Sequence, residues 1–184
     1  MSWLEELDWE CVKTDLFDED ADAIVVPVNI HLDLHYGLGT ELLRREGEPL
    51  LEAVAKVREG TPELALGHAV HVPLRQLRAK HAILVAWWGR DNEYTANHLY
   101  RCYAQSLRQA FAVQAESLSM PMLGGRGGVS DTARAKAVVE LLRSFDRLKG
   151  SDAFPTRTLR FVDVTEARLK VLKDLLERTL YLPG

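Results

Sequence analysis

The chain has 184 residues, of which 47% are hydrophobic and 27% charged, a composition ordinary for a globular protein and expected to form one domain spanning residues 1–184. Its formal net charge of −4 argues against bulk electrostatic binding of nucleic acid, although a local basic groove could still bind a strand. The longest apolar run, Ala82 to Trp88, is far too short to span a membrane, so no membrane partner is predicted.

In chain order, strands and helices alternate after two opening strands. Short apolar segments predict six strands: Trp9–Thr14, Ile24–Val28, Gly67–Val72, His81–Trp88, Leu118–Leu123 and Thr158–Val164. Helical spacing of apolar residues predicts four helices: Thr40–Val57, Asn97–Ala115, Ser130–Leu148 and Glu166–Leu180. Pro49 interrupts the first helix, so a kink or break is expected there. The pattern is typical of a three-layer α/β/α sandwich with a mixed sheet that is parallel at its centre.

The second strand points to a ligand edge. Ile24–Val28 is apolar and rich in β-branched residues, which predicts a strand buried on both faces, and it ends in the polar Asn29. A loop with Gly37 and Gly39 follows and leads into a helix. The carboxyl end of such a strand is where α/β proteins bind ligands.

A second glycine cluster, Gly124–Gly128, also follows a buried strand and precedes a helix. Glycines there let backbone N–H groups approach a phosphate, and the helix N-terminus adds favourable partial charge. Taken alone, the cluster is better explained as a flexible turn. It matches neither the P-loop nor the dinucleotide fingerprint. Two such loops at one sheet edge could clamp a diphosphate between them.

Several segments agree in order and spacing with one family. The pair Asp15–Leu16 stands seven residues before Asp22, and Ala21–Asn29 reads Ala-Asp-Ala-Ile-Val-Val-Pro-Val-Asn. Further matching segments are Gly37–Gly47, Leu66–Ala69, Leu77–Leu84 and Pro121–Gly128. Together they resemble the macro domain family of ADP-ribose-binding modules, whose second strand reads Val-Asp-Ala-Ile-Val-Asn-Ala-Ala-Asn. The similarity covers roughly Val12 to Phe145.

The resemblance implies roles for individual residues. Asp15 would accept a hydrogen bond from the adenine amino group, with the Leu16 backbone nearby, and Asn29 would bind the distal ribose. Two loops would offer their backbone to the diphosphate: Gly37, Leu38, Gly39, Gly124, Gly125, Arg126, Gly127 and Gly128. Arg126 could also pair with a phosphate through its guanidinium group. Backbone amides hold phosphate without a large positive field, which fits an acidic protein.

The chain departs from the family at four points. Val26 replaces the first Asn of Asn-Ala-Ala-Asn, and the triple glycine is reduced to His35-Tyr36-Gly37. Gly39 occupies the position where hydrolytic members carry an Asp. The aromatic residue that often stacks on adenine after the final strand is absent, and the nearest candidates are Ala167 and Arg168. These departures favour binding over catalysis, or a ligand related to but different from ADP-ribose.

His31, Asp33 and His35 stand at alternate positions and would share one face of an extended segment. They are weak candidates for a metal site, since a polar loop with Leu32 and Leu34 packed inward explains the pattern better. No metal or other cofactor is therefore predicted. Because the loop would border the distal ribose, Asp33 and His35 are the candidates for a general base, and Asn29 is the remaining catalytic candidate.

The two cysteines, Cys11 and Cys102, lack metal-ligand spacing and are expected to be reduced thiols in the cytoplasm. Neither Ser119 nor Cys102 has an evident base partner, so a nucleophilic triad is not supported. Trp87 and Trp88 end an apolar strand, and one is expected in the core and one at the edge of the sheet. Base stacking by these rings is the less favoured reading.

Three functions remain in competition. The first is a module that binds ADP-ribose, a related nucleotide diphosphate or an ADP-ribosylated macromolecule. The second is a hydrolase that removes ADP-ribose from protein or nucleic acid, or acts on phosphorylated ADP-ribose. The third is a domain that binds single-stranded RNA or another partner, which predicts salt-sensitive affinity that ADP-ribose does not compete for.

Overall fold

The computed structural model describes residues 2–89, 96–124, 128–148 and 154–180. The strands are β1 (Asp8–Lys13), β2 (Ala23–Asn29), β3 (Ala69–Pro73), β4 (His81–Trp88), β5 (Ser117–Pro121) and β6 (Thr158–Asp163). The helices are α1 (Trp3–Glu6), α2 (Leu38–Glu46), α3 (Glu48–Gly60), α4 (Ala96–Ala112), α5 (Asp131–Leu148) and α6 (Glu166–Leu180), with a 3-10 helix at Leu16–Asp18. None of the helices in these described ranges is long and apolar enough to cross a membrane.

The strands form one sheet in the order β1-β6-β5-β2-β4-β3. Every neighbouring pair is parallel except the edge pair β3 and β4, which is antiparallel. Helices cover both faces: α2, α3 and the 3-10 helix pack on one side, and α1, α4, α5 and α6 on the other. The predicted three-layer α/β/α sandwich with a mixed, centrally parallel sheet is confirmed.

Successive side chains of the central strands point to opposite faces of the sheet, and so they contribute to two separate hydrophobic cores. In β2, Ile24 and Val26 face the α2–α3 side, whereas Val25 faces the α4–α5 side. In β4, Leu84 and Val85 alternate in the same way. All five side chains are fully buried, so both faces of the central strands are dry. This is the continuous apolar pattern expected of a parallel sheet covered on both faces.

A cleft opens where β2 and β5 separate. The two strands pair only at Ala23–Leu118 and Ile24–Ser119, whereas β2 pairs with β4 along its whole length. After β2 the chain adds β3 and β4 toward one edge of the sheet, and it then crosses back to form β5 on the opposite flank of β2. The boundary between β2 and β5 is therefore the point where the strand order reverses. Pro27, which has no N–H to donate to a neighbouring strand, lies beyond the last β2–β5 pair.

The helix predicted over Thr40–Val57 is two helices. Its first part begins at Leu38, two residues before the predicted start, with Gly37 as the N-cap. It ends at Gly47, whose φ of 71° is disfavoured for residues with a side chain. Pro49 then occupies the first turn of α3, where its missing N–H costs nothing. The predicted break is therefore confirmed, and Gly47 is the residue at which the chain turns.

Two carboxylates, the buried Glu46 and the half-buried Asp22, hold the connections between elements in place. Glu46, at the end of α2, accepts hydrogen bonds from the backbone N–H groups of Arg75, Gln76 and Leu77 at 2.8–2.9 Å. Asp22, just before β2, accepts from Lys80 Nζ at 2.7 Å and from backbone and side-chain groups at the start of β5. These contacts hold the amino ends of the strands together, opposite the cleft.

Candidate functional site

Two adjoining cavities follow the cleft at the carboxyl ends of the strands. The larger has a volume of about 390 Å³, and the smaller, about 290 Å³. Leu38, Pro121 and Met122 line both, so the two form one continuous groove. Asp15 lines the smaller cavity and Gly37 lines the larger, which places the two predicted ligand regions at opposite ends of the groove.

The first glycine loop meets the groove at the start of α2. Gly37 has a φ of 55°, is exposed, caps α2 without a side chain and lines the larger cavity. Leu38 is half-buried between the two cavities. An uncapped helix N-terminus beside a cavity can bind an anion through its backbone.

Asn29 holds the loop that follows β2. Its Oδ1 accepts hydrogen bonds from the backbone N–H groups of His31 and Asp33, both at 3.0 Å. Within the described ranges no group accepts from its Nδ2, which leaves two N–H donors for a ligand. Asn29 itself does not line either cavity, although its neighbours Pro27 and Trp88 do. Its carboxamide thus has a structural task that the sequence did not predict.

Asp15 is held in place at the other end of the groove. Its Oδ1 accepts from Phe17 N at 2.9 Å and caps the 3-10 helix, while Oδ2 lies 3.6 Å from an Nη of Arg45. Arg45 also pairs with Glu41 at 2.8 Å and stacks over the Phe17 ring, so it joins α2 to the 3-10 helix. Asp15 keeps 44% of its side-chain surface exposed, so Oδ2 can still accept from a ligand.

Glu41 lines the same cavity, and hydrogen bonds from the guanidinium groups of Arg44 and Arg45 lower its pKa to about 2. Its carboxylate therefore stays ionised, with its charge directed to arginines of its own helix. Arg45, which contacts both Asp15 and Glu41, was not singled out from the sequence, because nothing in the sequence links it to Asp15.

The second glycine loop follows β5. Met122, Leu123 and Gly124 line the larger cavity, and Gly124 has a φ of 93°. Leu123 N donates to the hydroxyl of Tyr103, a fully buried residue of α4 whose pKa is raised by burial. The predicted positions Gly125, Arg126 and Gly127 lie outside the described residues. Gly128 is exposed with a φ of 68°, and it does not line either cavity.

A buried arginine lies behind this loop. Arg134, in the first turn of α5, is only 4% exposed, and its Nη2 contacts Asp131, the first residue of the helix. A Cβ added to Gly124 would stand 3.3 Å from Arg134 Cδ and 3.5 Å from the Trp87 ring. The glycine therefore lets the loop pack directly on the arginine stem and the indole.

Aromatic side chains form much of the larger cavity. Trp87 is buried, Trp88 is half-buried and Tyr36 is 55% exposed, and all three line this space. Trp87 points into the α4–α5 core, as the sequence predicts for one of the two indoles. Both indoles nevertheless contribute to the cavity wall, which sequence reasoning gave little weight. The signal was present in the two consecutive rings at the carboxyl end of a central strand.

The end of β6 closes the smaller cavity. Of the two residues named as substitutes for an adenine-stacking aromatic, Arg168 lines this cavity and Ala167 does not. Arg168 lies 3.7 Å from Asp163, so its guanidinium is anchored beside the pocket. Val164 also lines the cavity and is 72% exposed, which makes it an apolar shelf on the rim.

The segment of His31, Asp33 and His35 runs beside the groove without lining it. Leu32 and Leu34 are buried between these polar residues, as predicted for a polar loop with inward leucines. Asp33 Oδ1 accepts from His35 N at 2.9 Å. Among the described residues, no three His, Cys, Asp or Glu side chains are grouped closely enough to hold a metal ion.

The positions that depart from the family have structural explanations. Val26 is fully buried in the α2–α3 core. Gly39 is buried inside α2, and an added Cβ would stand 3.1 Å from Leu34 Cα. Cys102 is buried, and burial raises the pKa of its thiol to about 12, so it is protonated at neutral pH and not a nucleophile.

The fold and groove agree with a known family. A model of the Macro domain family matches residues 25–139, more than half of the chain. This chain belongs to the macro domain family. The similarity stated from sequence is thereby confirmed.

Two relatives illustrate the range of similarity. A protein named O-acetyl-ADP-ribose deacetylase from Enterobacter sp. (strain 638) is 33% identical over 140 residues, which cover 74% of this chain and 77% of that protein. A macro domain-containing protein from Caldanaerobacter subterraneus is 27% identical, covering 83% of this chain and 87% of its own length.

Solved structures share the fold at lower identity. A variant of the Oceanobacillus iheyensis macrodomain, solved with ADPR, matches with a TM-score of 0.80 over 95% of both chains at 19% identity. The Trypanosoma brucei macrodomain in complex with ADP-ribose matches with a TM-score of 0.77 at 18% identity, covering 91% of this chain and 68% of that one. At these identities the match concerns the fold.

Proposed function

We propose that this protein binds ADP-ribose, or a closely related nucleotide diphosphate, in the groove between β2 and β5. The observation that carries the proposal is the groove itself. Asp15 lines one end of it, and the uncapped N-terminus of α2 at Gly37 lines the other. A carboxylate can accept from an adenine amino group, and backbone N–H groups at a helix start can hold a diphosphate.

The proposed pose assigns a task to each end. The adenine lies in the smaller cavity against Leu16 and Arg168, and its amino group donates to Asp15 Oδ2. The diphosphate lies near Leu38 and Gly124, and Asn29 Nδ2 donates to the distal ribose at the edge of the larger cavity. The positions predicted from sequence at Gly39 and Gly128 contribute less, because neither lines the groove.

Isothermal titration calorimetry with ADP-ribose tests the proposal. Asp15→Ala removes the adenine acceptor and should weaken binding at least about tenfold. Asp18→Ala is the matched control, because Asp18 also contacts Arg45 but does not line the groove. The absence of both heat and a thermal shift with the wild type at millimolar ADP-ribose would reject the proposal.

Asn29→Asp gives a sharper test than Asn29→Ala. An aspartate keeps an oxygen acceptor for the N–H groups of His31 and Asp33, so the loop stays in place. It removes the Nδ2 donors and should weaken ADP-ribose binding with little change in melting temperature. Asn29→Ala should lower both the affinity for ADP-ribose and the melting temperature, since the loop loses its two hydrogen bonds.

A second candidate function is hydrolysis of an acyl or glycosyl bond on ADP-ribose. It is favoured by the relative named O-acetyl-ADP-ribose deacetylase, which is 33% identical to this chain. Asp33 would be the base, because one of its oxygens is not used by His35 N. Incubation with O-acetyl-ADP-ribose and with an ADP-ribosylated protein tests this candidate. Product formation that Asp33→Ala abolishes supports it, and no turnover by the wild type rejects it.

An ADP-ribosylated macromolecule is the proposed physiological partner, since Tyr36 and Val164 leave exposed apolar surface at the rim of the groove. The proposed location is the cytoplasm. Cys11 and Cys102 are both free thiols, which fits a reducing compartment.

A further inference from the structure

We infer that Arg134 forms a charged anion site behind the second loop, where its guanidinium binds a phosphoryl group of the ligand. The inference rests on the proposed function for the identity of that ligand, a phosphate-bearing nucleotide. It adds a fixed, buried side-chain cation to a site that the sequence predicted to bind phosphate through backbone groups and the guanidinium of Arg126.

The guanidinium is buried with donors to spare. Arg134 is 4% exposed, and in the described part of the chain its Nε and Nη1 have no hydrogen-bond partner. Asp131 binds Nη2 and so balances the charge without using the remaining N–H groups. Buried polar groups are nearly always paired in native proteins, so unpaired N–H donors on a buried cation indicate a missing anion.

The side chain lies behind the wall of the groove, next to Gly124, and Arg134 itself lines neither cavity. Its pairing with Asp131 holds the guanidinium at the N-terminal end of α5, an eighteen-residue helix whose dipole also favours a negative charge. Its stem packs beneath Gly124, which lines the larger cavity and offers no side chain between the two. Trp87 touches the same glycine position from the cavity wall.

An apolar residue would serve the fold as well. Asp131, its ion-pair partner, is 36% exposed and lies at a helix N-terminus, so its carboxylate stays solvated and favourably placed when Arg134 is replaced by an apolar residue. Packing alone therefore does not explain an arginine at this position. A planar guanidinium, in contrast, presents two parallel N–H groups that match the geometry of phosphate oxygens. The arrangement therefore selects ligands that carry a phosphoryl group at the Gly124 side of the groove.

The test uses Arg134→Met, Arg134→Lys and the control Arg147→Gln. Arg147 is exposed near the other end of α5, and its Nε donates to the Arg143 carbonyl. In calorimetric titration with ADP-ribose, Arg134→Met should raise Kd at least about tenfold and lose part of the salt dependence of binding. Arg134→Lys should raise Kd by a smaller factor, and Arg147→Gln should leave it unchanged. The ligand-free Tm of Arg134→Met should equal or exceed that of the wild type.

Two outcomes overturn the inference while leaving the proposed function in place. One is an equal ADP-ribose Kd for wild type, Arg134→Met and Arg134→Lys. The other is a lower ligand-free Tm for Arg134→Met with an unchanged Kd, which marks a packing role. Should Arg134→Met fail to fold, Arg134→Lys decides by the same comparison of Kd.

If the wild type does not bind ADP-ribose, the proposed function fails and inorganic pyrophosphate becomes the probe. A pyrophosphate-induced rise in wild-type Tm that both Arg134 variants lose, and Arg147→Gln keeps, supports the anion site. No such rise, or a rise that the Arg134 variants share, overturns it.

Discussion

A side chain at Gly39 would press tightly against the backbone of Leu34. An added Cβ would stand 3.1 Å from Leu34 Cα and 3.2 Å from its carbonyl oxygen. Leu34 is itself buried, in a loop that is tied down through hydrogen bonds to Asn29 and Asp33. The helix and the loop approach so closely only because residue 39 is a glycine. The position at which the resemblance implies an Asp in hydrolytic members is therefore crowded here, in addition to being a glycine in the sequence.

Gly39→Asp should not create a hydrolase. The Leu34 backbone has to move to admit the side chain, and we expect a loss of about 1–3 kcal/mol in the free energy of unfolding. A first-turn carboxylate is otherwise favourable in a helix, so a loss identifies the steric cause. Urea denaturation measures it. Gly60→Ala, with nothing within 4 Å of the added methyl group, is the control and should be neutral or slightly stabilising. Unchanged stability of Gly39→Asp would refute this account.

Trp88 should report on ligand binding. It is half-buried in the wall of the larger cavity, so a bound ligand changes the surroundings of its indole. Addition of ADP-ribose should alter the intrinsic fluorescence of the wild type, and Trp88→Phe should lose most of the change. Trp88→Ala should also weaken binding about tenfold through lost contact area. Trp9→Phe is the control, since Trp9 lies on β1 away from the groove and should retain the response. A full response from Trp88→Phe would disprove the assignment.

Glu46 should be important for stability and unimportant for binding. Its buried carboxylate accepts three backbone hydrogen bonds from the turn between β3 and β4. Glu46→Gln replaces one acceptor oxygen by a donor that faces N–H groups, which should cost about 1–3 kcal/mol of unfolding free energy. Chemical denaturation measures the loss, and the exposed Glu52→Gln is the matched control. The prediction fails if the two variants are equally stable.

Asp22 should make stability depend on acidity. Its pKa lies below the ordinary 3.8, first because Lys80 donates to it and then because backbone N–H groups of Ser117 and Glu116 do. A carboxyl with a depressed folded-state pKa stabilises the fold fully above 3.8, and this contribution is lost as pH falls through the folded value.

Asp22→Asn should accordingly be about 1–2 kcal/mol less stable than the wild type at neutral pH. The difference should remain constant down to about pH 5 and shrink below pH 3.8. Urea unfolding of both proteins across this range tests the sign. A difference that grows as pH falls contradicts the proposed ionisation.

Hydrophobic pattern alone located all six strands to within about two residues. That success has a simple cause: central strands buried on both faces must be apolar throughout, and such runs stand out in the sequence. The four-residue α1 escaped notice because it is too short for periodicity. Its capping box of Ser2 and Glu5 was the readable signal.

Some residues of the candidate site could be predicted from the sequence, and others are revealed only by the structure. Asp15, Gly37 and Leu38, which the order of motifs predicts as ligand-binding residues, line the groove, and their roles in binding stay predictions. Arg134, in contrast, carries no sequence signal of burial, yet it is only 4% exposed and its stem packs against Gly124. The periodicity of a helix shows which residues share a face, but it does not show which other segment covers that face. The burial of Arg134 could therefore not be predicted from the spacing of residues in α5.

The sequence by itself determined the layers, the strands and the family, since these follow from apolar periodicity and the order of short motifs. The tertiary structure alone decided where the groove lies and what faces it. β2 and β5 separate beyond Ile24 and Ser119, and this divergence opens the space that Trp87 and Trp88 line. Contacts between segments that are far apart in the chain form only when the helices pack on the sheet. Local sequence patterns therefore cannot predict them.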